Sequence, residues 1–233
     1  MKFLKGILYL GLLCSAMTTN AALLTSSDSS LAFWYDNDIN NRGGIALANN
    51  QLLGTINPYT TNAFTVSFHL NITGARSGWS SILHVGNTNF QRWPGFWLTP
   101  GNTGLHSRMS TSSSWNNGFA DTAPLPIGPN AWTHVAMIDD GSALKLYLNG
   151  SLFQTIDGSG TPYSPSGPIN VYAGDPWYNP SLGSIDDIRI YNRAVQLNEL
   201  RVTPAQVPAP ASLALFLLGV AGISLNRLNR KPL

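Results

Sequence analysis

Several aromatic side chains lie in segments rich in glycine, proline and polar residues, a composition typical of loops. This set comprises Trp79, Trp93, Trp115, Trp177 and Tyr178. Exposed rings of this kind stack on the apolar C–H faces of sugars, while neighbouring amides and hydroxyls bind the sugar oxygens. We therefore expect one or two of them to contact a carbohydrate ligand. The alternative is that they cover the ends of a hydrophobic core, as expected for Trp97 and Trp132 in strand patterns.

The acidic and imidazole side chains offer little for catalysis. Ten of the eleven acids are aspartates, so Glu199 is the only glutamate and a pair of catalytic glutamates is excluded. Glycoside hydrolysis requires two carboxylates on opposite sides of the scissile bond. In the predicted last strand, alternation places Asp187 with Ile185 on one face and Asp186 on the other. An Asp pair from different strands is the alternative, but the sequence predicts that the protein is not an enzyme.

The histidines support the same expectation. They are His69, His84, His106 and His134, with neither metal-ligand spacing nor a Ser or Cys nucleophile signature. His134 lies inside a strand pattern, and we expect it to be a hydrogen-bonded structural residue.

Charge is low and unevenly distributed along the chain. The 13 lysines and arginines exceed the acids by two, but five of these cations lie near the chain ends. Between residues 23 and 206, eight cations face eleven acids. A nucleic-acid partner, which requires a basic patch, is therefore not expected. Only 10% of residues are charged, against about 25% typically, and a neutral hydrogen-bonding surface suits a polysaccharide matrix.

Residues 1–22 have the order of a secretory signal peptide. A basic start with Lys2 and Lys5 precedes an apolar run, and small Ala21 and Ala22 end the segment. We expect signal peptidase to cleave after one of these alanines. The alternative, an uncleaved anchor, is disfavoured because the apolar run is too short for a hydrocarbon core of about 30 Å. Since Cys14 is the only cysteine, the mature chain would contain no disulfide.

The C-terminal residues 207–233 combine a proline motif, an apolar segment over 211–225 and a basic tail. The motif is Pro208, Ala209 and Pro210, and the tail contains Arg227, Arg230 and Lys231. This order resembles the PEP-CTERM sorting signal of exported proteins in exopolysaccharide-forming Gram-negative bacteria, with Ala209 in place of the motif's glutamate. The resemblance implies that a transmembrane helix enters the inner membrane transiently and that an exosortase-type protease acts on it.

Between these ends, residues 23–206 contain short stretches of period 2 separated by glycine, proline, asparagine and serine. This pattern indicates an all-β sandwich or barrel. The predicted strands cover residues 31–34, 63–70, 81–85, 95–98, 132–138, 144–148, 151–156 and 184–191. Asn149-Gly150 favours a two-residue hairpin, so the strands between 132 and 156 should be antiparallel neighbours. Residues 196–201 are expected to form one or two helical turns.

Three blocks resemble the laminin-G-like, concanavalin A-like jelly roll. They are Trp132-Thr133-His134-Val135-Ala136, Leu146-Tyr147-Leu148-Asn149-Gly150, and residues 183–194 around Ile185-Asp186-Asp187. The resemblance implies a two-sheet antiparallel β-sandwich, which the N-terminal signal helix and the C-terminal apolar helix would flank. It does not select a function, because the fold hosts lectins, glycosidases, lyases and adhesion modules.

The resemblance also implies a calcium ion at a sandwich edge, with Asp186 or Asp187 as one ligand. Asp36 and Asp38 could supply others, because Ca²⁺ takes six to eight oxygen ligands and this Asn/Asp-rich run has oxygens at alternate positions. The run lacks the spacing of an EF-hand. The alternatives are an ion pair with Arg189 or a turn cap for Asp186 and Asp187, and an ordinary loop for the run.

These observations predict an exported, non-catalytic protein of the cell surface or extracellular matrix of a Gram-negative bacterium. A signal peptide (1–22) precedes a laminin-G-like β-sandwich (23–206), which precedes a sorting segment (207–233). The expected partner of the sandwich is glycan or extracellular polysaccharide. The alternatives are a polysaccharide hydrolase or lyase of the same fold and a purely structural surface protein.

Overall fold

The fold was analysed in a computed structural model, which describes residues 28–36, 44–57, 62–158 and 166–200. The predicted signal helix, Asp38 and the predicted sorting segment lie outside the described residues, so export, sorting and localisation stay predictions. Within the described ranges, no helix has the length and apolar character needed to cross a membrane.

The described residues form short β-strands and one short 3₁₀ helix. The strands are β1 (Leu31–Tyr35), β2 (Ile45–Ala46), β3 (Leu52–Ile56), β4 (Ala63–Gly74), β5 (Ser80–Val85), β6 (Gly95–Leu98), β7 (Leu105–Met109), β8 (Asn117–Gly118), β9 (Trp132–Asp140), β10 (Ala143–Leu148), β11 (Ser151–Asp157), β12 (Ile169–Tyr172), β13 (Asn179–Pro180) and β14 (Leu182–Tyr191). The helix is Leu197–Glu199. Each strand predicted from the sequence is present, with longer bounds in most cases.

Two sheets form a sandwich, which confirms the predicted all-β class. The first sheet has the order β1-β14-β4-β9-β10-β11, with β2 beside β14. The second has the order β3-β12-β5-β6-β7-β8, with β13 beside β5. Neighbouring strands are antiparallel except for the short β13–β5 pair. The hairpin at Asn149-Gly150 joins β10 and β11, and β9, β10 and β11 are neighbours as expected.

Alternating apolar residues fill the space between the sheets. In β4, Phe64, Val66, Phe68 and Leu70 are fully buried. Phe68 meets Phe96 of the opposite sheet edge-on, with ring centroids 5.0 Å apart. Burying one such side chain stabilises the fold by about 1.5–3 kcal/mol, so the core needs no disulfide.

Strand β14 contains an irregularity that breaks simple alternation. Its register with β4 shifts between Asp186 and Arg189, and Asp187 has a left-handed backbone with φ of 46°. Because a bulge changes the phase of a strand, Ile185, Ile188 and Ile190 all reach the core. The prediction that Ile185 shares a face with Asp187 is therefore wrong, and so is the assignment of one acid to each face.

On the outer side of the first sheet, His134 is a buried, hydrogen-bonded histidine, as expected. Its Nε2 lies 2.9 Å from the Ser67 hydroxyl, and its ring centroid lies 5.0 Å from that of His69. Burial, assisted by the charges of His69 and Arg189, lowers the pKa of His134 from 6.5 to about 3. The folded protein therefore keeps this imidazole neutral in mildly acidic solution.

The buried imidazole predicts a loss of stability in acid. Below about pH 6.5 the unfolded chain binds a proton at His134 that the folded chain does not, so stability falls as the pH drops towards 3. His134→Gln keeps a hydrogen-bonding group beside Ser67 and removes this proton. We measure the free energy of unfolding by urea denaturation between about pH 6 and 4. We expect its slope against pH to be smaller in the variant than in the wild type, by the amount that corresponds to about one bound proton. Parallel curves for the two proteins would contradict the assignment, and measurements at about pH 8 provide the reference without this proton.

Candidate functional site

Four neighbouring strands of the second sheet present rings and polar groups on their outer side. Their inward residues Val85, Phe96, Leu105 and Val171 belong to the core. Because successive side chains of a strand point to opposite faces, the adjacent residues point outward. These outward residues are His84 in β5, Trp97 in β6, His106 in β7 and Tyr172 in β12.

Trp97 lies at the centre of this outer side. Its ring centroid is 5.7 Å from His84, 6.2 Å from His106 and 6.0 Å from Tyr178. It is only 2% exposed, yet it lies outside the cluster between the sheets. Trp97 is therefore buried, as predicted, but side chains on the outer side of the second sheet surround it rather than the cluster between the sheets.

Three exposed tryptophans from different loops surround this centre. The ring centroid of Trp79 lies 4.5 Å from that of His106. The ring centroid of Trp177 lies 4.9 Å from that of His84 and 6.1 Å from that of Tyr172. Trp115 covers the guanidinium of Arg92, which also lies over Trp97. The three rings are 37–47% exposed. We call Trp79, Trp97, Trp115, Tyr172, Trp177 and Tyr178 the aromatic face.

The structure thus brings together four of the five rings proposed as ligand contacts, and it places the fifth elsewhere. Trp93 is 1% exposed within the hydrophobic core between the sheets. Its inclusion among the ligand contacts is corrected, because its ring is buried in the hydrophobic cluster. Phe90, which composition did not single out, is 62% exposed and meets Trp115 edge-on at 5.0 Å. Trp132, expected in the core, is only half-buried at the start of β9.

A buried carboxylate fixes the loop that carries Trp177 and Tyr178. Asp175 Oδ1 accepts hydrogen bonds from the backbone N–H groups of Trp177 at 3.0 Å and Tyr178 at 2.8 Å. Its Oδ2 accepts from the Ser81 hydroxyl at 2.8 Å and from Trp97 Nε1 at 3.1 Å. Asp175 is fully buried, so each of its oxygens exchanges water for protein donors. The sequence contains a weak signal for this role, an Asx residue two positions before an aromatic pair.

Two imidazoles lie under the exposed rings, where burial favours their neutral forms. His84 Nε2 donates to the Gln91 carbonyl at 2.9 Å, and its Nδ1 lies 3.8 Å from Asp175 Oδ2. Burial lowers the pKa of His84 well below its ordinary value, against the opposing effect of Asp175. His106 Nδ1 lies 2.6 Å from Asp121 Oδ1. Burial lowers the pKa of His106 as well. The positive charge on this side of the sheet therefore comes from arginine.

Arg92 connects the central ring to an exposed one. Its guanidinium carbon lies 4.5 Å from the ring centroid of Trp97 and 4.7 Å from that of Trp115. Nε donates to the Asn89 carbonyl at 3.0 Å, and Nη1 donates to Asn116 Oδ1. Cation–π contacts of this kind contribute about 0.5–2 kcal/mol, so Arg92 holds the Trp115 ring over the site.

The predicted calcium ligands do not form a cluster in the described ranges. Asp187 Oδ1 accepts from Arg189 Nε at 2.6 Å, which is the ion pair named as the alternative. Asp186 is buried beside it, Asp36 follows β1, and Asp38 lies outside the described residues. Among described side chains, no group of three or more His, Cys, Asp or Glu could hold a metal ion. The calcium site stays a prediction.

Comparison with known proteins places this geometry in a family. Residues 40–201 match the family described as the concanavalin A-like lectin/glucanases superfamily. The comparison with curated proteins gives no match.

Among solved structures, a leech intramolecular trans-sialidase complexed with 2,7-anhydro-Neu5Ac is 16% identical, with a TM-score of 0.49 over 76% of this chain and 28% of that chain. Trypanosoma rangeli sialidase in complex with 2,3-difluorosialic acid is 15% identical, with a TM-score of 0.42 over 60% and 22%. The botulinum neurotoxin serotype D binding domain is 14% identical, with a TM-score of 0.47 over 66% and 40%. The chain thus spans less than half the length of each solved chain, and identities this low carry no information on activity.

The family match corrects the prediction that the protein is not an enzyme. The family description names glucanases together with lectins. Membership therefore gives no ground for excluding catalysis. An Asp pair from different strands was the alternative to the count of acids on one strand, and the bulge in β14 breaks the alternation on which that count depended.

Proposed function

The chain belongs to the concanavalin A-like lectin/glucanases superfamily, and we propose that it binds carbohydrate polymers through the aromatic face of its second sheet. The observation that carries the proposal is the convergence of three exposed tryptophan rings on one side of the sandwich. Trp79, Trp115 and Trp177 come from three separate loops, yet each contacts the ordered array around Trp97.

The rings of the aromatic face are held in place before a ligand arrives. The backbone of Trp177 is bonded to Asp175, Trp115 lies on Arg92, and Trp79 lies on His106. A site whose side chains are already ordered loses less conformational entropy on binding. Such preorganisation supports a binding role for rings that would otherwise expose apolar surface to water.

The dimensions of the face suit a polymer. Tyr172 and His106 lie on strands separated by three strand spacings, because the order is β12-β5-β6-β7. With strands about 4.8 Å apart, the face is about 14 Å across in this direction, longer than one sugar ring. Several sugar units of one chain can therefore contact the face together.

Removing single exposed rings tests the proposal. We expect Trp115→Ala and Trp177→Ala each to weaken polysaccharide binding about tenfold, which corresponds to about 1.4 kcal/mol. The reason is that each substitution removes one stacking surface while the hydrogen bonds beneath remain. Binding is measured by affinity electrophoresis of the purified protein through gels containing single polysaccharides, followed by calorimetry with those that retard it.

Trp34 provides the matched control for these variants. It is 42% exposed and lies on β1 of the first sheet, beside Arg189. Trp34→Ala makes the same chemical change on the other sheet and should leave binding unchanged. If Trp34→Ala weakened binding as strongly, or if the wild type bound no polysaccharide, the proposal would fail.

A further inference from the structure

Two arginines of the second sheet hold their positive charge without a carboxylate partner. Arg92 is only 6% exposed, and its hydrogen bonds go to neutral oxygens of Asn89 and Asn116 and to the Tyr178 side chain. Arg108 Nη1 donates to the carbonyls of Ser107 and Phe119. In the described part of the chain, no carboxylate oxygen lies within 4.0 Å of either guanidinium.

The two acids on this side of the sheet are engaged elsewhere. Both oxygens of Asp175 accept hydrogen bonds from the loop and from Ser81 and Trp97. Asp121 is bonded to His106. They act on the arginines through space, but neither makes the direct, two-pronged contact that a guanidinium favours.

A buried cation without a partner is unfavourable, because it has lost water and gained only neutral acceptors. Burial is the main cause that lowers the pKa of Arg92 from its ordinary value. Nη2 of Arg92 makes a long hydrogen bond to Asn89 Oδ1 at 3.5 Å, and the Tyr178 side chain also interacts with the guanidinium. Asn116, the acceptor of Nη1, is exposed, so a ligand group that contacts Asn116 comes close to the guanidinium.

We propose that the aromatic face binds polysaccharides that carry carboxylate groups, as polymers of uronic acids do, with one carboxylate bound at the edge of Arg92 beside Asn116. A planar carboxylate matches the fork of guanidinium N–H groups, whose plane is fixed here between Trp97 and Trp115. The rings of the face then stack on the sugars to either side. This inference rests on the proposed carbohydrate binding and adds the chemical class of the ligand.

Polygalacturonate and its fully methyl-esterified form are the paired probes. They share one sugar backbone, and esterification removes the negative charge while adding only one methyl group to each carboxyl. We expect calorimetry with the purified protein to show binding of polygalacturonate at least about tenfold tighter than binding of the ester. Dextran sulfate is a third probe, because sulfate would supply a negative charge without the planar geometry.

Asn116→Asp is the decisive variant. It is nearly isosteric, keeps an oxygen at Arg92 Nη1 and gives the guanidinium an internal carboxylate, so the fold should be retained or stabilised. We expect the preference for polygalacturonate over its ester to fall to about one, since the ligand carboxylate is now displaced and repelled. Asn149→Asp, in the exposed hairpin of the first sheet, adds the same charge and retains the acceptor for the His134 N–H. It should keep the wild-type preference.

The outcomes separate this inference from the proposed function. Equal binding of polygalacturonate and its ester would overturn the carboxylate assignment and leave carbohydrate binding intact. Tighter binding of dextran sulfate than of polygalacturonate would replace the carboxylate assignment by a sulfate site. If Asn116→Asp and Asn149→Asp lost the preference for polygalacturonate equally, the preference would come from the net charge of the protein and the assignment to Arg92 would be wrong. If the wild type bound no polysaccharide of any charge, the proposed function itself would fail.

Discussion

Asp175→Asn is expected to abolish most polysaccharide binding and to lower the free energy of unfolding by about 2–4 kcal/mol. The substitution keeps Oδ1, which accepts from the backbone of Trp177 and Tyr178. It replaces Oδ2 by an amide N–H group that faces Trp97 Nε1, which can only donate, and it removes the acceptor of the Ser81 hydroxyl. Buried donors that face a donor lose their hydrogen bonds, so the loop and the central ring should both shift.

Urea denaturation and calorimetry on the same preparation measure the two effects. Asp157→Asn is the matched control, because it makes the same chemical change at an exposed residue. Asp157 ends β11, a strand of the first sheet. We expect it to alter stability by less than about 0.5 kcal/mol and binding not at all. Wild-type binding by Asp175→Asn would show that this carboxylate does not position the aromatic face.

Gly95→Ala is expected to have the second largest effect, a loss of about 1–3 kcal/mol in stability together with loss of binding. A Cβ at Gly95 would lie 2.1 Å from Trp97 Cη2 and 2.7 Å from Cζ3. The ring has little room to move, because Arg92 lies over it and its Nε1 is bonded to Asp175. The direction of the change in stability is informative. Where alanine can adopt the backbone conformation of the glycine, Gly→Ala normally stabilises a protein by about 0.4–1 kcal/mol.

Gly78→Ala is the control for this variant. A Cβ there would have no heavy atom within 4 Å, although Gly78 directly precedes the exposed Trp79. Thermal melting and affinity electrophoresis should therefore show a protein close to wild type. If Gly95→Ala melted and bound like Gly78→Ala, Trp97 would not be the ring on which the face is built.

The elements of the fold that alternation can detect were predictable from the sequence. Strand β6 was predicted with its observed bounds, Gly95–Leu98, and β4 was found through its buried phenylalanines and aliphatic residues. Strands β3, β7 and β12 were not predicted. They are four or five residues long and place polar residues such as Ser107 and Asn170 in the sheet, so their apolar periodicity is weak.

The candidate site was predictable in composition but not in arrangement. Loop-like surroundings identified Trp79, Trp115, Trp177 and Tyr178, and the fold brings them together. Nothing local distinguishes Trp93, whose burial depends on the opposite sheet. Asp175 was not identified from the sequence, because its side-chain partners Ser81 and Trp97 are 94 and 78 residues away along the chain. Pairings at such separations require the topology of the sheet.

The hydrogen bonds of Asp175 also divide the aromatic face into two parts, which differ in how strongly a substitution would disturb the sheet. Trp177 and Tyr178 share a buried carboxylate with β5 and β6, so a substitution that reshapes their loop disturbs the sheet as well. The side chains of Trp79 and Trp115 contact the site through their rings. We therefore expect substitutions of these two side chains to change the aromatic face without disturbing the sheet, whereas substitutions in the 175–178 segment should disturb both.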